Sequence, residues 1–598
     1  VDAKSLLTDA QVSVKDNVPF IKHDALPFSQ VKAHLAQHLG GTDELDIYEL
    51  LHVLFDDYED EFTVGLSRQQ QQEYMSRIRK DRLSKYLAEL VWRRHGERIK
   101  AASKINAATA AILQLTAKNV HAACDALMQE KDFHLTLLVA QIEQADSAFQ
   151  EDMATQISDW RGQSVISEMS EEIRALYEIL SGNTSIAQGR QNVAVEDRAS
   201  TFAISEKFEL DWIQAFGLCL WYGKHKNGDI GEIVADFQSK LNSNLESATP
   251  VGSDGYEDPL WVVLRLFATN SASKSKGSRA SAAVKAEKPL LPQALSALSQ
   301  PWDSLKTFRL HHIITASLSG VSIDQDKADD LALTLSFEHS ARGDIVGAVY
   351  ALMHLSNPTK RARQIQDLLD RHAAALTAPP SSQSQTSPLW TALTASFHIP
   401  ATWVYQSKAL YARSCNESLA ELYYLVLATD YAQAHACLLH RVAPRFIIDE
   451  DWEGLRDVLA RFGEDAAQKV DAAVATSTEQ DTSLEWRSGG GVYADFVELM
   501  VLMGPSPAGR RASSGQDAIE KRKNKAALLE RLQVALTELN ARFKARGSGS
   551  SSDSHTLDLN KDREKLEERV ALCEMGKAVV RVIELEDDTG VADQVCTK

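Results

Sequence analysis

The chain has 598 residues and a formal net charge of -19, from 64 basic and 83 acidic side chains, enough for about four domains or one long repetitive architecture. Its 29 glycines and 15 prolines make up about 7% where roughly 12% is usual, too few turn formers for an all-β fold. Apolar residues at 44% and charged residues at 25% exclude a wholly disordered chain, and the negative charge opposes a nucleic-acid duplex or a phospholipid surface as principal partner, both being polyanions.

Residues 1–27 are short of helix signals, and the alternation of Val12, Val14, Val18 and Phe20 predicts one or two short strands. From Phe28 the pattern becomes helical. Phe28, Val31, Leu35 and Leu39 recur at helical spacing, Gly40 and Gly41 end the run, and Asp43 opens a helix with Ile47, Leu50, Leu51, Leu54 and Phe55 on one side. The same grammar of helix, stop, cap and helix recurs almost to the end. In the clearest stretch Asn416 caps one helix, Asp430 caps a second that runs to a stop at Pro444, and Asp449 caps a third carrying Trp452, Leu455, Leu459 and Phe462. Helices of ~12 to 15 residues joined by short connections pack antiparallel to their neighbours. The prediction is an all-α, irregular helical stack (an α-solenoid) of ~25 helices averaging ~14 residues, with strand confined to residues 1–27. Low-complexity breaks at Thr269–Lys288, Thr377–Ser387, Arg487–Gly491, Gly504–Gly515 and Gly547–Ser554 are loops or linkers.

The six cysteines, Cys124, Cys219, Cys415, Cys437, Cys573 and Cys596, form no C-x-x-C pair, so no zinc knuckle or disulfide framework is written here. Apolar stretches such as Leu422–Ala428 are far short of the ~18 to 20 residues that span a bilayer. An enzyme reading rests on two acidic patterns. Asp56, Asp57 and Asp60 match the D-D-x-x-D with which all-α isoprenoid synthases hold magnesium against a diphosphate, and Asp330, Thr334 and Glu338 have the i, i+4, i+8 spacing of the partner motif. Both are short patterns in a chain rich in acids, and the competing interpretation is a solvated helix end and an exposed helix face. His311 and His312 diverge by ~100° on a helix, and His435 with Cys437 has no third orienting group. The prediction is therefore no catalytic residue, no metal and no cofactor. The helix after Asp211, with Trp212, Phe216, Leu220, Trp221 and Tyr222, is either core or a protein contact, and its aromatic density makes it the first candidate for a contact surface. Arg510–Lys525 reads as the one basic run, a solvated helix start or an import or nucleic-acid patch.

Gly343–His372 and Tyr431–Phe462, with Leu45–Phe62 and Asp211–Gly223, resemble the nuclear protein ninety-six family, the carboxy-terminal scaffold half of a large nucleoporin precursor. The resemblance runs from about Phe28 to about Phe462. It implies an ancestral coatomer element, a stack folded back into trunk, crown and tail, acting without catalysis in the Y-shaped complex of the nuclear pore at the nuclear envelope and supporting mRNA and protein transport. The implied organisation is a strand segment at 1–27, first trunk helices at 28–98, a crown at 99–270, a Ser/Lys-rich loop at 271–288, returning trunk helices at 289–400 and tail helices at 401–598. The implied partners are a six-bladed β-propeller protein shared with the vesicle coat, met by Val12, Val14, Val18 and Phe20; a helical nucleoporin at the crown, met by the Trp212–Tyr222 helix; and hub nucleoporins at the tail. With 27 residues before Phe28, the propeller-completing blade is expected to be truncated. A vesicle-coat scaffold of the same architecture is the alternative that shares this propeller.

Overall fold

The computed structural model describes residues 10–23, 25–36, 42–56, 67–102, 106–252, 257–274, 304–318, 323–376, 387–476, 485–503, 515–548 and 559–595. A hairpin of β1 (Ala10–Lys15) and β2 (Val18–His23) comes first. Its two-residue turn has φ of 53° at Asp16 and 62° at Asn17; Asp and Asn tolerate this left-handed region, and two such residues in a row make the turn whose twist matches that of the strands.

Two compact units follow. The first takes Ile21–Glu338 and the second His339–Lys598, with Val1–Gln11 grouped with the first and Val12–Phe20 with the second. The first unit opens with α1 (Phe28–Ala36), α2 (Thr42–Phe55), α3 (Arg68–Ala102), α4 (Ala107–Leu115), α5 (Val120–Gln129), α6 (Phe133–Ala140), α7 (Ser147–Gly162) and α8 (Glu171–Leu180). After a short strand pair come α9 (Ile204–Lys207), α10 (Trp212–Tyr222), α11 (Ile230–Asn242), α12 (Pro259–Lys274), α13 (Ser304–Ser317) and α14 (Gln325–Ala341). Helices adjacent in sequence pack as hairpins, α1 on α2, α4 on α5, α5 on α6 and α11 on α12; then α12 returns to α2. Phe55 meets Phe267 edge-on at 5.5 Å, Arg309 of α13 donates to Glu44 of α2 at 3.1 Å, and Ser317 donates to the Leu26 carbonyl at 3.0 Å. One continuous apolar core, running from Phe28 to Ile314, results.

The second unit contains α15 (Ile345–Leu352), α16 (Pro358–Arg371), α17 (Pro388–Thr391), α18 (Ala401–Ser414), α19 (Ser418–Leu427), α20 (Tyr431–Cys437) and α21 (Ala443–Ile448). It ends with α22 (Trp452–Ala460), α23 (Ala466–Thr476), α24 (Gly490–Met503), α25 (Gly515–Ser548) and α26 (Leu559–Val595). Its core runs from Ala409 to Val582, and the last helix packs back on α21.

Five helical connections among the described residues share one device. A residue in the left-handed region is followed by an Asp or Asn whose side chain caps the next helix: Lys118–Asn119, Lys131–Asp132, Gly343–Asp344, Thr429–Asp430 and Glu450–Asp451. The capping residue's own N–H reaches back five residues, as from Asp430 to the Leu425 carbonyl at 3.1 Å and from Asp451 to Phe446 at 3.0 Å. Both open helix ends are satisfied within one turn, so the next helix starts reversed.

The fold is the expected all-α stack, with four local corrections. Asn416 is itself the left-handed residue (φ 59°) and Glu417 takes the cap position. The third cap is Asp451, since Asp449 ends α21. Pro444 stops nothing: a π-helical turn at Leu438–Val442 joins α20 to α21, and the widened turn accommodates the missing N–H of a proline at the start of α21. Strand is not confined to residues 1–27, because β3 (Ile186–Ala187) pairs antiparallel with β4 (Phe202–Ala203). Arg174 ties that excursion to α8, donating to the carbonyls of Gln188 at 3.3 Å and Ser200 at 2.8 Å. The predicted break from Thr269, with its Ser/Lys-rich loop at 271–288, begins too early, since Thr269–Lys274 complete α12; residues 275–288, with Gly40 and Gly41, lie outside the described residues.

Candidate interaction surfaces

Two carboxylates of the acidic patterns that suggested magnesium chemistry, Asp56 and Glu338, have structural tasks. Asp56 accepts the N–H groups of Phe28 at 2.8 Å and Ser29 at 2.9 Å and pairs with His52 at 2.7 Å. It thus caps α1 from the end of α2, a negative charge at a helix N-terminus. Asp57 and Asp60 lie outside the described residues. On α14, Glu338 accepts the Ser304 hydroxyl at 2.7 Å and Thr334 donates to the Asp330 carbonyl at 2.8 Å. Cys437 and His435 are no nucleophile and base: burial pushes the thiol up to about 12, and His435 Nε2 accepts the Gly490 N–H at 2.8 Å. His311 is a core side chain whose burial lowers its pKa to about 4.

The helix expected to meet a partner faces its own chain. Every residue of α10 is buried, because a helix apolar all round can satisfy itself only inside a core. Asp211 starts it with a reciprocal cap through Gln214. Trp212 donates Nε1–H to Asp258 at 3.0 Å and meets Trp261 edge-on at 5.7 Å; Phe216 packs on Phe237 and Trp261. Trp221 donates to the Ser84 hydroxyl of α3 at 2.8 Å, and Leu220 and Tyr222 are 2% and 1% exposed. Trp212, Phe216, Leu220, Trp221 and Tyr222 are therefore corrected to core positions of the first unit.

Exposed apolar side chains lie elsewhere. On α5 and α6, Met128, Phe133 and Leu137 face solvent, Phe133 at 62% and Leu137 at 63%, and the last two stand one turn apart on the same face. At the hairpin, Val14 is 48% exposed and Val12, Val18 and Phe20 are partly covered; the Arg361 guanidinium lies 5.5 Å from the Phe20 ring centre. A two-stranded sheet has an unpaired backbone edge on each side.

In the second unit, α26 buries Ala571, Met575, Val579 and Val582 in the core and makes polar and charged contacts with the segment around the π turn. Arg441 pairs with Glu421 and, at 3.0 Å, with Glu564; His440 meets Glu568 at 2.5 Å and Arg445 meets Glu567 at 3.2 Å. Burial raises the Glu421 pKa against the pull of Arg441. Glu567 is partly desolvated, yet hydrogen bonds from Arg563 and Arg445 leave its pKa below the usual value. Of Arg510–Lys525, residues 510–514 lie outside the described residues and the remainder opens α25. The second basic element is α3, whose cations share the helix with core positions.

An all-α stack of helical hairpins with exposed apolar and charged faces has the architecture of helical scaffold proteins. The family model described as Nuclear protein 96 matches residues 109–411, half of the chain, and the chain belongs to that family of nucleoporins, which are components of the nuclear pore complex and not enzymes. It is 31% identical over 347 residues to "Nucleoporin NUP145" of Chaetomium thermophilum, covering 57% of this chain and 17% of that protein. Against "Nucleoporin nup189" of Schizosaccharomyces pombe it is 24% identical over 531 residues, 87% of this chain and 27% of the relative. Against "Nuclear pore complex protein Nup98-Nup96" of Dictyostelium discoideum it is 20% identical over 408 residues, 65% and 17% of the two chains. The chain thus spans between about a sixth and about a quarter of the length of these relatives. Among the described residues no helix is long and apolar enough to cross a membrane.

Proposed function

We propose that the chain is a structural scaffold of the Y-shaped subcomplex of the nuclear pore, joining a β-propeller protein at its amino-terminal hairpin to helical nucleoporins along its stack and so supporting nucleocytoplasmic transport. The observation that carries this reading is the hairpin itself. Ahead of the first helix stand two strands whose sheet has no third strand among the described residues, with an exposed Val14, an arrangement suited to pairing with an incomplete sheet by strand addition. Val12, Val14, Val18 and Phe20 supply the side chains, and main-chain hydrogen bonds supply most of the affinity.

The proposed organisation is a trunk begun at 28–98 and resumed at 289–400, a crown at 99–270 and a tail at 401–598. The crown contact falls to Met128, Phe133 and Leu137, since the α10 aromatics are buried in the chain itself. In the tail, the exposed side of α26 contacts the hub nucleoporins; Leu566, Val580 and Leu585 lie there, all more than half exposed. Reconstitution of the chain with a six-bladed propeller of the nuclear pore tests the reading: the intact chain forms a stoichiometric complex by size exclusion, and a chain lacking residues 10–23 forms none. Equal binding by both chains would remove the hairpin from the interface.

A further inference from the structure

α3 is the anomaly of charge in this molecule. Its 35 residues carry ten Lys or Arg against four Asp or Glu, in a chain whose net charge is -19. Leu83, Leu87, Leu90, Val91 and Ile99 of α3 are buried in the first unit, so the cations between them are turned outward: Arg77, Arg82, Lys85, Arg93, Arg94 and Lys100 are all exposed. At ~100° per residue, Lys85, Arg82 and Arg93 fall within one arc of ~80°. Trp92 borders that arc, 41% exposed, with the Lys100 ammonium 5.6 Å from its ring centre.

A groove of ≈460 Å³ runs beside this arc between α1, α2 and α3. Lys32, Arg82, Lys85 and Arg93 line it together with Asp46, Glu49 and Glu89. Two of the carboxylates are engaged inside the chain: Arg93 holds Asp46 at 2.6 Å, and Lys32 pairs with Glu49. Lys85 forms no ion pair among the described residues, and neither do Arg77 and Arg94 on the same helix. The face therefore presents Lys85 without an ion pair, further exposed cations, a wide apolar ring, and a groove in which four cations meet three carboxylates.

We propose that the α3 face binds an acidic helix of a partner protein, whose carboxylates meet Lys85, Arg82 and Arg93 and whose apolar side chain lies on Trp92. Charge complementarity selects the occupant. A nucleic acid or an anionic membrane would bring a continuous polyanion against Asp46, Glu49 and Glu89 and against the acidic remainder of the chain. A helix can place its carboxylates on the cations at i, i+3 and i+4 spacing and leave Glu89 beside a neutral or basic position. Trp and Arg are the side chains that most often anchor such contacts. This site is separate from the hairpin, so either can fail without the other.

The test uses the full chain and, as probe, a fluorescent Glu-rich helical peptide of roughly 20 residues with its glutamates at i, i+4 spacing, read by anisotropy. Saturable binding is expected, weakening as salt rises toward a Debye length of about 8 Å. The doubly substituted Arg82→Glu, Lys85→Glu chain should bind at least about tenfold more weakly, with an unchanged melting midpoint because both positions are exposed. Lys85→Gln alone and Trp92→Ala alone should each weaken binding about threefold or more. Absence of peptide binding to the unmodified chain, or binding unaffected by these substitutions, overturns the proposal. So does tighter binding of single-stranded DNA or of phosphatidylserine vesicles than of the peptide, run in parallel as competing probes.

Discussion

The first unit closes on apolar surface: α12 returns to α2, and Trp261, 1% exposed, is enclosed by Trp212, Phe216 and Phe237 at 5.3 to 5.7 Å. The second unit has an apolar core too, to which its last helix adds Ala571, Met575, Val579 and Val582, and that helix also holds Arg441, His440 and Arg445 through Glu564, Glu568 and Glu567. Apolar closure is non-directional and almost indifferent to salt, whereas ion pairs at a partly wet helix face weaken as ionic strength rises. One chain thus contains a unit closed on apolar surface and a unit whose terminal helix adds salt-sensitive contacts to its apolar ones.

The largest effect expected on this contrast comes from Trp261→Ala, which deletes the ring at the centre of the first core. Removing a fully enclosed tryptophan costs about 3–5 kcal/mol, so the thermal midpoint of the first unit should fall by the same amount at low and high salt. Arg441→Ala should cost the second unit about 3 kcal/mol, because Glu421 is left partly desolvated with Arg413, at 3.9 Å, as its remaining ion-pair partner among the described residues. Replacing Glu421 and Arg441 together by Leu should recover much of that loss, and denaturant titration of the two variants measures the difference.

A third prediction concerns pH. His311 has a pKa of about 4 in the folded chain because it is buried, against ~6.5 when unfolded. The unfolded chain takes up a proton first, so this group's contribution is intact above pH ~6.5 and is lost as pH falls toward 4. Between pH ~6.5 and ~5 the first unit should lose about 2 kcal/mol, and His311→Leu should remove that part of the acid sensitivity. The smallest effect belongs to the α5–α6 face: Phe133→Ser with Leu137→Ser should leave stability within about 0.5 kcal/mol and weaken only partner binding, measured by titration calorimetry with the crown partner.

The sequence showed the stack through its helical periodicity and its Asx caps, and Asp430 is one of those caps. The errors fell where competing patterns share residue types. Asp449 and Asp451 are equally good caps on paper, and the left-handed Glu450 between them decides for the second. Pro444 reads as a stop unless a π turn precedes it, and a π turn has no compositional signal. Asp56 resembled a metal ligand because capping and coordination use the same carboxylate, and only the fold brings the α1 N–H groups to it. The aromatics of α10 carried the same ambiguity between core and contact, resolved by tertiary packing that periodicity cannot express. The α3 face was hidden because its cations, Arg77, Arg79, Lys80, Arg82 and Lys85 among them, lie in a helix that also carries core positions such as Leu83 and Leu87.

Addition of the hairpin to a sheet is the central claim, and Val14→Pro tests it most directly. Proline at this exposed position removes one backbone N–H from the strand while leaving the helical units untouched. In a binding titration with a six-bladed propeller of the nuclear pore, the account predicts a loss of affinity of about tenfold or more, with circular dichroism and thermal midpoints of both units unchanged. Undiminished affinity of the Val14→Pro chain would contradict it.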